Sequence, residues 1–288
     1  MALDYPLREA LLSILPVVDE LIVAVAPGDR GDDTRGLVES LDDPRVRIVD
    51  AVWDEDRRYL AYADMTNAAL AACTGDWCLY VQADEVLHED DLDTVRQRCS
   101  ELLDDERVEG LLFDYLHFFG DYDHIQRGQG WYPREIRIVR NGVGIRSVRD
   151  AQSFRRPPQK RITVAPARGR VFHYGWVRHP TLMQAKVETF WAHRLGREAA
   201  AAVHGDDVSF DYGPLARLPR WQGTHPHVMA ERIGRMNWAD LLRDVDPPGL
   251  RRRTRHRDER LLYRTLTLAS RLTGIDFNHT NHGRVLEV

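Results

Sequence analysis

Apolar positions recur along this chain at two spacings. Leu7, Ala10, Leu11, Ile14, Leu15 and Val18 form one stripe at helical spacing, with Asp4 placed to cap the helix and Pro6 suited to its first turn. Residues 21–26 are a continuous apolar run of strand length, followed by a loop over 27–34. The pattern then predicts a second strand at 45–51, an alanine-rich helix at 62–73, a third strand at 77–82 and a helix at 90–103 with an acidic first turn. Such alternation implies parallel strands covered by helices. Strand-like segments at 110–115 and 136–140 bracket an aromatic, glycine-containing loop at 117–131, long for a plain connection and so expected to shape a binding site. Residues 171–174 read as a short strand within Phe172-His173-Tyr174-Gly175-Trp176.

Beyond about residue 178 the character changes. Residues 181–195, 227–243 and 258–273 read as helices, and Pro247-Pro248-Gly249 separates the last two. The expected organisation is an α/β core over 1–178 and a mainly helical extension over 179–288, without internal repeats. The chain opens on a helix that feeds a strand, whereas a doubly wound fold opens on a strand. A missing first strand is the expectation that follows.

Composition narrows the partners. The 288 residues carry a net charge of −5, which argues against a general polyanion binder. The cationic stretch at 250–260 has no interleaved aromatics and reads as a solvated face, so no nucleic-acid partner is expected. Cys73, Cys78 and Cys99 are odd in number and lack zinc-ligand spacing, as reduced thiols of a cytoplasmic protein would be. No apolar stretch approaches the roughly 20 residues of a transmembrane helix, and no signal peptide is apparent.

Candidate chemistry centres on Trp77-Cys78-Leu79-Tyr80-Val81-Gln82-Ala83-Asp84-Glu85, an apolar run that ends in adjacent carboxylates. In an open α/β sheet, ligands sit beyond the carboxyl ends of the strands. Acid placed there can hold a hard divalent cation and, through it, a diphosphate. The plainer alternative is a helix-capping or surface acid pair. Gly75-Asp76-Trp77, this strand, Gln82-Ala83-Asp84-Glu85 and the earlier Asn67 together resemble family 2 glycosyltransferases of the GT-A fold, over residues 1–178 and most strongly over 67–88.

The resemblance implies a GT-A (Rossmann-like), mostly parallel sheet flanked by helices. It also implies metal-dependent, inverting transfer of a sugar from a nucleotide-sugar, UDP-sugar by default, to a hydroxyl of a glycan or other acceptor. The family's Asp-x-Asp element reads Gln82-Ala83-Asp84 here. Asp84 then falls on the position that binds Mn²⁺ or Mg²⁺, and Gln82 replaces an acid near the ribose or sugar. His173 fits a downstream metal ligand, with a hydrogen-bonded packing histidine as its alternative. Asp33, in Asp32-Asp33-Thr34, and Asn67 fall near the donor nucleotide.

Inversion requires a base for the acceptor proton. Asp150, in Arg149-Asp150-Ala151, and Glu135, in Arg134-Glu135-Ile136-Arg137, both stand open for it. Asp150 is favoured by its loop position, and Glu135 could instead pair with Arg134 or Arg137. Tyr115, His117, Trp131 and Tyr132 are the acceptor-side candidates, because aromatic faces stack on sugar rings. Gly223-Thr224-His225-Pro226-His227 reads as a turn into a helix. A non-catalytic nucleotide- or glycan-binding protein is the second reading, since Gln82 departs from the family pattern.

Overall fold

The computed structural model of the chain describes residues 3–28, 32–196, 198–199, 208–250, 256, 259–273, 277–278 and 280–288. Most of the cationic stretch at 250–260, and the start of the helix expected at 258, lie outside them.

Strands β1 (Leu21–Val25) and β2 (Val46–Asp50) pair in parallel as a small sheet of their own. The large sheet runs in the order β3 (Trp77–Leu79), β7 (Arg134–Arg140), β5 (Gly110–Phe119), β11 (Val164–Trp176) and β4 (Glu85–Leu87), with β6 (Ile125–Gln126) on the end of β5. Strands β8 (Arg146–Val148), β9 (Ser153–Arg156) and β10 (Lys160–Arg161) form a third, antiparallel sheet. The helices are α1 (Leu7–Ile14), α2 (Thr34–Glu39), α3 (Ala61–Ala72), α4 (Glu89–Glu101), α5 (Pro180–Leu195), α6 (Ala230–Gly234) and α7 (Leu261–Thr273). None among the described residues is long and apolar enough to cross a membrane.

The expected mostly parallel GT-A sheet does not form. Among the described residues only the strand pairs β1–β2 and β5–β11 are parallel, while β3–β7, β5–β7, β5–β6 and β4–β11 are antiparallel. Strand–helix alternation holds only as far as α4. After it the chain doubles back from β5 through β6 to β7, a return that antiparallel neighbours make without a helical crossover. The expected strand at 77–82 ends at Leu79, and a second short strand begins at Glu85. The expected loop at 117–131 is partly sheet, since β5 continues to Phe119 and β6 returns on it. The short strand at 171–174 is the end of a 13-residue one. Residues 227–243 hold short 3₁₀ turns and α6 instead of one helix.

Local chemistry explains several boundaries. Helix α1 turns Leu7, Ala10, Leu11 and Ile14 into the core, but Asp4 does not cap it and instead binds Arg232 at 2.8 Å. Helix α4 starts at His88, whose ring accepts from Asp90 N–H, and Glu89, Asp90 and Asp91 complement its positive end. The C-terminal residues return to the sheet. Gly283 N–H donates to Ile162 O, Val164 N–H to Arg284 O, and Leu286 N–H to Val164 O.

One ion pair lies at the centre of the large sheet. Glu85 and Arg137 are both fully buried. Arg137 Nε donates to Glu85 Oε2 at 2.8 Å and Nη2 to Oε1 at 2.7 Å. Tyr115 O–H and the Gln82 backbone N–H fill the remaining carboxylate lone pairs, while Arg137 Nη1 donates to the carbonyls of Ile136 and Gln152. Removing one partner of such a pair leaves an uncompensated buried charge, costing about 3–5 kcal/mol. Arg137→Met is therefore expected to lower unfolding stability by that amount in urea titration. Glu85→Gln with Arg137→Met should cost clearly less than the two single changes added. Strict additivity would mean that the groups do not act as a pair.

Candidate functional site

Strand register assembles the site. Antiparallel pairing of β4 with β11 sets His173 opposite Glu85, and parallel pairing of β5 with β11 sets it opposite His117. Asp84, one residue before β4, consequently stands beside His173, and its backbone carbonyl accepts from Tyr174 N–H at 2.8 Å. Asp84 belongs to the turn that precedes β4 and Glu85 to the strand itself, so the two adjacent carboxylates separate. Glu85 enters the core pair, and Asp84 faces a cavity of about 1830 Å³.

The hydrogen bonds settle the histidine tautomers. His117 Nε2 lies 2.8 Å from the carbonyl of Tyr132, which can only accept, so this nitrogen carries the proton. Burial holds the His117 ring down at about 3, and His173, buried likewise although Asp84 pulls it up, at about 4. Both rings are neutral near neutral pH. His117 Nδ1 is then a bare acceptor and takes the Nδ1 proton of His173 at 2.9 Å. That leaves His173 Nε2 with a lone pair facing Asp84 Oδ2, 3.8 Å away.

Two converging acceptors call for a cation, and Lys186 of α5 supplies one. Its ammonium donates to Asp84 Oδ2 at 3.1 Å and to the carbonyl of Gly175 at 2.6 Å. Burial alone would raise the Asp84 carboxyl, yet Lys186, with His173 and Arg178 nearby, holds it down at about 2. Burial lowers Lys186 to about 8 against the pull of Asp84. Gly175 keeps the corner open, since a Cβ there would lie 2.5 Å from His173 Nε2 and 2.6 Å from Asp84 Oδ2.

The same corner fits a divalent ion. Donor atoms each about 2.1 Å from one ion lie at most about 4.2 Å apart, and the Asp84–His173 separation falls within that limit. Among the described residues no third His, Cys, Asp or Glu completes such a group. The rest of such a shell would have to come from water or ligand oxygens, as is usual for Mg²⁺.

The remaining sequence candidates divide. Gln82 lines the cavity, and its amide donates to Tyr80 Oη at 3.2 Å and Ala151 O at 3.4 Å. Asp150, His117, Trp131 and Tyr132 also line it. Four candidates do not. Glu135 is fully buried, accepting from Ser153 Oγ at 2.8 Å and Asn281 Nδ2 at 2.6 Å. Asn67 ties α3 to β8 through both backbone groups of Ser147. Asp33 caps α2 by accepting from Gly36 N–H at 3.1 Å, while its neighbours Asp32 and Thr34 reach the cavity. Tyr115 is spent on Glu85.

Sequence reasoning passed over Lys186 and an aromatic group that lines the same cavity. There Trp53 meets Tyr62 edge to face at 4.9 Å, and Tyr62 Oη lies 3.0 Å from His193 Nδ1. Burial, then the charges of Asp150 and Asp84, push the Tyr62 hydroxyl up to about 12, which places both carboxylates within its electrostatic reach. One signal for Lys186 was legible: of the chain's 40 lysines and arginines, only Lys160 and Lys186 are lysine.

The histidine arrangement predicts an NMR signature. Imidazole ¹⁵N shifts at pH 6 should show both rings neutral, with His173 protonated at Nδ1 and bare at Nε2. Protonated rings at that pH would overturn it. Their lowered values also imply that stability falls as pH drops from about 6.5 toward 4, because the unfolded chain takes up protons that the folded rings refuse.

No family model matches the chain. Over 211 residues it is 29% identical to a TPR repeat-containing protein of Synechococcus elongatus, a match covering 70% of this chain and 46% of that protein. The chain thus spans about half the length of the curated relative it matches. TPR arrays are stacked helix pairs, and the mixed sheets described above are not of that kind.

Proposed function

We propose that this chain transfers a sugar from a nucleotide-sugar to an acceptor hydroxyl with inversion. The observation that carries this reading is the Lys186 ammonium, set beside Asp84 and His173 within a cavity large enough for a nucleotide-sugar. A diphosphate oxygen would meet that ammonium there. Nucleotide and sugar would extend past Gln82 toward Asp32, Thr34 and the Trp53–Tyr62 pair, all of which line the same cavity. A Mn²⁺ or Mg²⁺ ion held by Asp84 and His173 would add charge stabilisation for the diphosphate as it leaves.

In this reading Asp150 is the base. It takes the proton of the acceptor hydroxyl while that oxygen bonds to the anomeric carbon, and the bond from that carbon to the diphosphate oxygen breaks. His117, Trp131 and Tyr132 would border the acceptor. UDP remains the default nucleotide and a glycan the default acceptor. The free thiols Cys73, Cys78 and Cys99 agree with a reducing, cytoplasmic setting.

Screening nucleotide-sugars and glycan acceptors for released nucleoside diphosphate tests the proposal. Asp150→Asn should lower transfer by about 10²–10⁴-fold while donor binding persists. Glu135→Gln, away from the cavity, should act on stability before turnover. Transfer that survives Asp150→Asn would remove Asp150 from this role. Failure of every nucleoside diphosphate to bind the folded chain would remove the donor reading itself.

A further inference from the structure

The corner that would hold a metal already contains a fixed positive charge. Lys186 Nζ is bound to Asp84 Oδ2 and to Gly175 O, and its side chain is only 17% exposed. An ammonium has three N–H donors. These two acceptors take two of them among the described residues, and Lys186 lines the cavity with the third to offer. Tyr5 and Trp176 flank the ammonium, with ring centroids 5.1 and 6.0 Å away.

Two further observations point the same way. The chain uses arginine for nearly all of its basic positions, and its other lysine, Lys160, is exposed. A largely covered lysine in such a chain marks a place where a compact point charge fits and a planar guanidinium does not. The polar groups beside the ammonium agree: Asp84 is the carboxylate bonded to it, and Gln82, two residues earlier, is an amide that adds no negative charge.

We propose that the Lys186 ammonium is the cation that grips the donor diphosphate, so that nucleotide binding here does not require a divalent ion. The inference rests on the donor reading above and adds to it the means of charge neutralisation. A diphosphate oxygen would accept the third N–H, while Asp84 and Gly175 hold the ammonium in place.

Calorimetric titration of UDP into the full chain, with EDTA and then with Mn²⁺, tests it. UDP should bind the wild-type chain in EDTA, with little gain from Mn²⁺. Lys186→Met should weaken binding in EDTA at least tenfold. Mn²⁺ should restore part of it, because the ion can then reach Asp84 Oδ2 and His173 Nε2.

A second measurement needs no substitution. With two lysines in the chain, acetylation by acetic anhydride is easily followed by mass spectrometry, and UDP in EDTA should slow labelling of Lys186 several-fold while leaving Lys160 unchanged. Wild-type binding that vanishes in EDTA and returns with Mn²⁺ would overturn the role of Lys186 and leave the donor reading intact. Absence of UDP, GDP, CDP, ADP and dTDP binding with and without Mn²⁺ would overturn both.

Discussion

The buried Glu85–Arg137 pair is the constraint on which the site depends. It joins β4 to β7 across the sheet, takes in Tyr115 of β5, and binds the backbone N–H of Gln82. With Glu85 committed to the core, Asp84 is carried by the turn that precedes it. The turn that presents it is held at Gln82 by the same carboxylate. A charged pair in this place is no bargain in stability over a well-packed apolar one. What it does supply is direction, because a bidentate guanidinium accepts its carboxylate in few orientations. Two adjacent acids that look equivalent in sequence thereby take unrelated roles.

Electrostatics at the mouth follow from burial. The His117 and His173 rings are hydrogen-bonded to each other, and burial keeps both neutral. Neutral rings leave Asp84 as a carboxylate without histidinium partners, and Lys186 answers it. Had the rings been protonated, their charges would join those of Lys186 and Arg178 around one carboxylate and the corner would repel a cation. The chain of hydrogen bonds from Tyr132 O through His117 to His173 therefore decides what the corner can bind.

How much of this was legible depends on whether the signal was local. The stripe from Leu7 to Val18 and the apolar run at 21–26 depend on spacing alone, and they fold as a helix over Leu7–Ile14 and a strand over Leu21–Val25. Strand direction is not local. The parallel sheet was inferred from strand–helix alternation, which stops at α4, and nothing in residues 110–140 states that the chain doubles back. Asp84 and His173 were readable as a pair because each ends or adjoins an apolar run. Glu135 and Asn67 were misleading for the opposite reason. Their chemistry suits a site, but the partners that absorb it, Asn281 and Ser147, are 146 and 80 residues away. Lys186 sat in a helix with no pattern to single it out, and only its rarity marked it.

The loop bearing Asp150 extends the influence of the core pair. Arg149 and Ala151 both have left-handed backbones, with φ of 59° and 58°. For residues with a Cβ this costs about 1 kcal/mol or more each, and it persists where the surroundings over-determine it. The surroundings here are specific. Gln82 Nε2 donates to Ala151 O, and Arg137 Nη1 donates to Gln152 O at 2.9 Å. Two successive carbonyls of the loop are thus held by a guanidinium locked to Glu85 and an amide whose own backbone is locked to Glu85. An acid at position 82 would have no N–H to offer Ala151 O, and the clamp would lose one arm. The amide that departs from the Asp-x-Asp pattern therefore has a structural use: it fixes the strained loop that carries Asp150 to the turn that carries Asp84.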